Sequence, residues 1–270
     1  MRPVALTIAG SEATGSAGAQ ADLKTFHQLG VFGAAALTCI VSIDPQNDWD
    51  HRFVPMEPQV IADQIQANVA NHDVAAVKIG MLGVVPTIEV VAEALIANTF
   101  PHVVLDPVLF CKGVSGNDFD FTRAIDEALK SEVLPRASLV TPNHFETLSL
   151  AGVGEIRTVA ELADAARRIH DTYGVTVLAK GGTTVEGEDA VDVFYDGAEL
   201  VELRSPKVGK ERVTGAGCTL AAAVTGQLAL GSTELEAARV AKDLVTSAIA
   251  HRQRVAFPFP AAYQGEYARP

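Results

Sequence analysis

Cysteine is scarce in this chain. Cys39, Cys111 and Cys218 are the only three, and no CxxC or Cys/His spacing links them, which excludes a disulfide framework and a zinc site. A reducing compartment is expected, and cytoplasmic localisation with it. Long apolar runs are missing too: nowhere do about 18 apolar residues follow one another. Met1 leads almost directly into residues 4–9 with no signal-type apolar region, so neither a signal peptide nor a membrane span is expected. Positive charge is in deficit, with 21 Lys and Arg against 33 Asp and Glu, a net charge of -12 and a pI near 5.0. A diffuse negative field repels phosphate polymers and anionic lipid, so no nucleic acid and no membrane surface is expected as a partner. A sheltered phosphate site survives that argument, because it depends on local donors. The two familiar nucleotide loops, GxGxxG and GxxxxGK[ST], are absent as well.

What the chain does have is apolar material, 48% of 270 residues, enough for one large core and a single domain over 1–270. Short β-branched or apolar runs recur at 4–9, 34–43, 75–79, 102–105, 138–141 and 175–179, each suited to a strand buried on both faces. Between them, helical spacing links Ile61, Ile65 and Val69, then Ile88, Val91 and Leu95, then Phe121, Ile125 and Leu129. Strand alternating with helix predicts an α/β fold. Its sheet is mostly parallel with helices on both faces, and its ligands lie at the C-terminal edge of the strands. Residues 190–195 and 200–203, joined across Asp196-Gly197, predict a hairpin, and helices are expected near 218–230 and 234–255.

Three constellations carry chemistry. The first is a loop of small residues leaving strand one, Ala9-Gly10-Ser11-Glu12-Ala13-Thr14-Gly15-Ser16-Ala17-Gly18, which serves equally as a tight turn or as a place where backbone approaches a ligand. The second is Thr214-Gly215-Ala216-Gly217-Cys218, opening an apolar helix. Amides of Gly215, Ala216 and Gly217 together with a helix start form a candidate oxyanion and phosphate site. A thiol placed there is expected to release its proton more readily, which makes Cys218 a candidate base, while a small core cysteine fits the same position. The third gathers Asp106, Asn143, Glu146 and Lys180 at predicted strand ends, two carboxylates, an amide and an ammonium, a set suited to hydrated Mg2+ and nucleotide phosphates. Lys207, Lys210, Glu211 and Arg212 form a charged loop before the glycine turn, as readily solvated as set over a nucleotide base.

With Gly215-Ala216-Gly217-Cys218, Thr141-Pro142-Asn143, Asp106-Pro107-Val108 and the Ala9-Gly10-Ser11 loop in one order, the chain resembles the ribokinase superfamily. It is similar within it to the hydroxymethylpyrimidine and pyridoxine/pyridoxal kinases. Gln20-Ala21-Asp22-Leu23-Lys24, Lys78-Ile79-Gly80-Met81-Leu82 and Lys180-Gly181-Gly182 extend the likeness. The segment Val41-Ser42-Ile43-Asp44-Pro45 through His51, with Cys111-Lys112-Gly113, resembles the pyridoxal kinases of Gram-positive bacteria. The resemblance implies a ribokinase-like fold with a small flap or hairpin and transfer of phosphate from ATP to the 5′-hydroxymethyl group of pyridoxal, pyridoxine or pyridoxamine. It also implies Mg2+ as cofactor, with a monovalent cation left open, and a homodimer. By the same resemblance, Cys218 lies nearest the accepting hydroxyl and the Gly215, Ala216 and Gly217 amides face the moving phosphoryl group. Asp106 and Glu146 organise the metal, and Asn143, Lys180 and Thr214 belong to the nucleotide side. Ser11, His51, Met81, Val108 and Cys111 line the ring pocket, and Cys111 adds reversibly to the pyridoxal aldehyde.

Two residues depart from that pattern: Glu12 stands where Asp is usual, and Thr214 where His is common. A hydroxymethylpyrimidine kinase is the nearest rival reading. A nicotinamide oxidoreductase and a non-catalytic ligand sensor stand further off.

Overall fold

The computed structural model describes residues 1–109 and 119–268, so Cys111 lies outside the described residues. The chain runs β1 (Val4–Glu12), α1 (Gly18–Leu29), β2 (Phe32–Asp44), β3 (Asp50–Pro55), α2 (Pro58–Asn71), β4 (Val74–Ile79), α3 (Val85–Ala97) and β5 (Val103–Leu105). It continues through α4 (Phe119–Ala128), β6 (Leu139–Val140), α5 (His144–Ala151), α6 (Val159–Tyr173), β7 (Thr176–Lys180), β8 (Asp189–Tyr195), β9 (Leu200–Pro206), α7 (Ala216–Ala229) and α8 (Glu234–Ala250). All the strands join one nine-stranded sheet in the order β3-β2-β1-β4-β5-β6-β7-β8-β9. Strands β2, β1, β4, β5, β6 and β7 run parallel, while β3 at one margin and β8 at the other run against them and β9 pairs antiparallel with β8. The connections dictate this: parallel neighbours need a crossover long enough for a helix, whereas β2–β3 and β8–β9 turn back through short loops.

The pleat divides the apolar residues between two cores. On one face Leu6, Ile8, Val77, Ile79, Leu105 and Val177 meet Ile61, Ile65, Ile88, Val91, Leu162 and Ile169 from α2, α3 and α6. On the other, Ala5, Ala76, Val104, Leu139 and Leu178 meet Phe26, Leu220, Val224 and Leu244 from α1, α7 and α8. Among the described residues, no helix is long and apolar enough to cross a membrane.

The strands expected from sequence all form, with three corrections. Strand β6 pairs over two residues only, and β2 surfaces at Phe32 and Ile40 near the sheet margin. The unforeseen β3 is a short edge strand with no buried residue, which offers no long apolar run to read. Two of the helices also stop short of expectation: α8 ends at Ala250 rather than near residue 255, and the helical pattern through Leu129 leaves α geometry at Ala128 for a π turn, Leu129–Val133.

Beside β7, Lys242 of α8 donates to Asp192 Oδ2 of β8 at 2.9 Å, both groups buried, and Asp192 Oδ1 accepts from the Gly181 amide at 3.0 Å. This pair fixes the turn that follows Lys180. Lys242→Met leaves Asp192 buried without its cation and is expected to cost about 3 kcal/mol in denaturant unfolding. The double variant Asp192→Asn/Lys242→Met is expected to recover most of that loss.

Candidate active site

Alternation along the parallel strands sets a row of polar side chains on the face shared with α1 and α7. Thr7 and Lys78 are register partners on β1 and β4, and Asp106, Thr141 and Lys180 continue the row past the ends of β5, β6 and β7. In an otherwise apolar sheet these residues satisfy one another. Lys180 Nζ donates to Asp106 Oδ1 at 2.8 Å and Thr141 Oγ1 to the same oxygen at 3.3 Å. Burial alone would raise the Asp106 carboxyl, yet the ammonium groups of Lys180 and Lys78 bring it below its ordinary value. Burial likewise works against the Lys180 charge, and Asp106 and Glu146 overcome it, so the ammonium is held.

One strand over, Asn143 and Glu146 begin α5 as a capping box. Asn143 Oδ1 accepts from the amides of Phe145 at 2.9 Å and Glu146 at 3.2 Å, and Glu146 Oε2 accepts from the Asn143 amide at 2.7 Å. Capping uses the side-chain oxygen of Asn143, which leaves its NH2 as the donor for an anion. Glu146 is buried beside this turn.

The glycine turn meets the first loop at close range. Gly215 has φ +78°, and a Cβ there would fall on the carbonyl oxygen of Ser16; Gly18 has φ +61°, and a Cβ there would fall on the carbonyl of Gly10. Only glycine permits the two loops to touch. Their contact brings the N-termini of α1 and α7 together, and the Gly18 amide of one lies close enough to the Cys218 sulfur of the other to favour its thiolate. Gly217 faces Lys180: a Cβ on it would stand 3.5 Å from Nζ. The amides of the turn and the ammonium of β7 therefore border the same space.

One expectation is reversed here. A helix N-terminus was expected to lower the Cys218 thiol, but burial pushes it up to about 11, against the opposing pull of Lys78. At neutral pH the resting group is a thiol. Cys39, by contrast, is a core cysteine, fully buried beneath Gly10.

The ring-pocket residues arrive from different elements. Ser11 lies at the end of β1, and Met81 and Val108 follow the adjacent strands β4 and β5, with Ser11 Oγ accepting from Gln20 Nε2 at 2.7 Å and the Met81 carbonyl accepting from Thr38 Oγ1 at 2.7 Å. His51 comes from the β2–β3 hairpin, its ring 6.3 Å from that of Phe257 in the C-terminal tail. Thr214 is held through its main chain: its amide donates to Pro260 O at 2.8 Å and its carbonyl accepts from Ala262 at 2.9 Å.

Asp106, just past β5, and Glu146, in the first turn of α5 after the neighbouring β6, are hard oxygen donors. Among the described residues no cluster of three or more His, Cys, Asp or Glu could hold a metal ion by itself. That donor set fits Mg2+, which commonly takes one or two carboxylates and fills its remaining positions with water and phosphate oxygens.

The profile of the family described as phosphomethylpyrimidine kinase matches residues 12–257. The chain belongs to the phosphomethylpyrimidine kinase family. A pyridoxine kinase of Bacillus subtilis is 41% identical over 245 residues, covering 91% of this chain and 89% of the relative. The pyridoxal kinase of Staphylococcus aureus in complex with AMP-PCP and pyridoxal superposes with a TM-score of 0.89 at 34% identity, over 100% of this chain and 96% of that one. A phosphomethylpyrimidine kinase of Clostridium difficile 630 gives a TM-score of 0.77 at 31% identity, over 92% and 100% of the two chains. The ribokinase-like fold and the assignment as a kinase follow from these similarities.

Against this kinase fold, the two departures acquire physical content. The longer Glu12 reaches back over its own loop and accepts from the Thr14 amide and hydroxyl, both at 2.8 Å, from Ser16 N at 2.8 Å and from Ala17 N at 3.3 Å. Thr214 keeps its main chain in place whatever its side chain. Lys207 does not reach for a nucleotide base, since its ammonium is tied to the carbonyls of Val185 and Gly187, each at 2.8 Å. Sequence reasoning passed over Thr7 and gave no role to Lys78 or Asp22; the one available signal was a lone lysine inside an apolar strand.

Alkylation of Cys218 by iodoacetamide, followed by mass spectrometry of its peptide, is expected to be slow near neutrality. It should accelerate with pH along a curve centred near 11, the value burial imposes. A midpoint below the ordinary thiol value would contradict the burial argument. Gly215→Ala is expected to lose at least about 1 kcal/mol of stability from its left-handed backbone alone, and turnover falls with it as the two loops are forced apart.

Proposed function

We propose that this kinase transfers the γ-phosphoryl group of ATP to the 5′-hydroxymethyl oxygen of pyridoxal, pyridoxine or pyridoxamine. The observation that carries the reading is the approach of the Gly215–Cys218 turn to Lys180, which gives one space both an anion-binding backbone and a phosphate-seeking ammonium. The similarity to a kinase bound to AMP-PCP and pyridoxal supports the pair of substrates.

Lys180 and the Asn143 amide group hold the polyphosphate, with Thr214 on the same side. The accepting hydroxyl lies beside Cys218 against Ser11, Met81 and Val108, and His51 bounds the ring from the hairpin. Oxygen attacks the γ-phosphorus in line; the new P–O bond forms as the bond to the β,γ-bridging oxygen breaks, and ADP leaves with that electron pair. Amides of Gly215, Ala216 and Gly217 face the equatorial oxygens where charge accumulates. The hydroxyl proton passes to Cys218 in its thiolate form. Bound Mg2+, held by Asp106 and Glu146, supplies neutralisation of the phosphate charge. A homodimer in the cytoplasm completes the reading, and sedimentation measures the first of these directly.

Hydroxymethylpyrimidine is the second substrate to weigh, because a relative 35% identical to this chain is a hydroxymethylpyrimidine/phosphomethylpyrimidine kinase. The hairpin segment from Val41 to His51 and the higher structural similarity to pyridoxal kinase favour the pyridine ring.

Cys218→Ala is expected to lower kcat by about 10²- to 10⁴-fold, the usual contribution of a positioned base, with KM for pyridoxal within a few-fold of wild type. ADP release measured with each B6 vitamer and with hydroxymethylpyrimidine settles the substrate, and a preference for the last overturns the choice made here. Because a proton acceptor must first lose its own proton, kcat should climb as pH rises from neutral into the alkaline range. A profile flat across that range removes Cys218 from the base role.

A further inference from the structure

Among the described residues, two that are not glycine hold a left-handed backbone, and they are neighbours: Asp48 at φ +47° and Trp49 at φ +61°, in the turn that joins β2 to β3. For a side chain as bulky as tryptophan this conformation is a true outlier, and it persists only where the surroundings over-determine it. Those surroundings come from elsewhere in the chain. Phe257 of the C-terminal tail meets the Trp49 ring edge-on, with centroids 5.8 Å apart and planes at 82°, and the same ring lies 6.3 Å from that of His51. Phe257 is half-buried although Ala256 and Pro258 on either side of it are exposed, so the tail turns this one ring inward. Further along β3, Phe53 covers Gly83, at φ +83°, so closely that a Cβ on the glycine would collide with the ring. The tail is itself anchored: Phe257 packs against Phe259 at 5.8 Å, and the Pro260 carbonyl accepts from the Thr214 amide at 2.8 Å. Neither Trp49 nor Phe257 belongs to the two apolar cores on the faces of the sheet. Their contact therefore holds the hairpin and not the fold.

We propose that Phe257 is a positioning residue for the ring substrate: its side chain, anchored through the tail at Thr214, fixes the Trp49 turn and with it the His51 ring that bounds the substrate pocket. The inference rests on the place given above to His51. An edge-on ring pair of this kind is worth about 2- to 12-fold in an equilibrium, enough to decide which of several conformations a strained turn adopts. His51 follows Trp49 by two residues, at the start of β3. A turn freed from Phe257 presents His51 to the substrate only part of the time, and apparent affinity falls by that fraction. The nucleotide side does not share the loss. Thr214 is held by the main chain of Pro260 and Ala262, and those hydrogen bonds need no aromatic ring at position 257.

The test separates positioning from folding. Phe257→Ala, Phe257→Tyr, His51→Ala and the double variant His51→Ala/Phe257→Ala are compared with wild type in steady-state kinetics with pyridoxal and ATP. The melting temperature and the emission of Trp49, the single tryptophan of the chain, are recorded beside them. Phe257→Ala should raise KM for pyridoxal about 10-fold, with kcat and KM for ATP within about two-fold of wild type and a melting temperature within a few degrees. Its Trp49 emission should move to longer wavelength as the indole gains water. Phe257→Tyr keeps the ring and should restore both the KM and the emission. His51→Ala should raise the same KM, and the double variant should add no further loss, because Phe257 acts through His51. An unchanged pyridoxal KM in Phe257→Ala, or a double variant in which the two losses multiply, overturns the inference. Where His51→Ala raises KM and Phe257→Ala does not, the pocket reading stands and the positioning role alone fails. Where His51→Ala leaves KM unchanged, the place given to His51 fails and the inference falls with it.

Discussion

Backbone touching backbone at Gly215 and Ser16 is the contact on which the site depends. Two βα loops, about 200 residues apart in sequence, approach until no side chain fits between them, and the reward is that α1 and α7 begin at the same place. A single helix start offers an anion a few orphan amides; two starts that converge surround it. Cys218 inherits its position from that convergence, as the third residue of α7. Glu12 protects the arrangement from the other side, because a carboxylate that gathers the amides of residues 14, 16 and 17 keeps the first loop from relaxing away from the second.

The second constraint is parity along the strands. Because alternate residues face opposite ways, the face packed by α1 and α7 receives Thr7, Lys78, Asp106, Thr141 and Lys180 while the other face keeps an unbroken apolar core. Charge is thereby concentrated where the helices end and water or ligand can compensate it. Lys180 and Lys78 form a graded pair: one ammonium borders the space beside Gly217, the other lies wholly inside. Asp106, pulled down by both, is ionised in the resting protein and ready as an oxygen donor.

Much of this was legible in the sequence because it depends on local pattern. The parallel strands read directly as β-branched runs, and Asp106, Asn143, Glu146 and Lys180 were found by the rule that strand ends carry chemistry. What escaped depended on tertiary context. Strand β3 has an edge strand's polar composition, and the capping boxes at Thr158/Glu161 and Thr233/Glu236, readable as Thr-x-x-Glu, went unused for placing α6 and α8. The thiol of Cys218 was judged from its helix position alone, which captures the dipole and omits burial. Lys78 offered only the signal of a charge inside an apolar run, since its partner Asp22 lies 56 positions away and only the fold brings the two together.

The C-terminal tail shows how the Thr214 departure is accommodated. Residues 257–262 bond to the Thr214 main chain on both sides and pair Ala261 with Gln253. The same segment sends Phe257 against Trp49 and His51 of the hairpin and places Phe259 under the guanidinium of Arg212. One strap therefore holds both the approach to the glycine turn and the hairpin that bounds the ring pocket. With the backbone secured in this way, exchange of a histidine for Thr214 alters what the side chain offers to phosphate without moving Gly215. Its hydroxyl remains both donor and acceptor, and the turn amides that follow keep the geometry on which transfer depends.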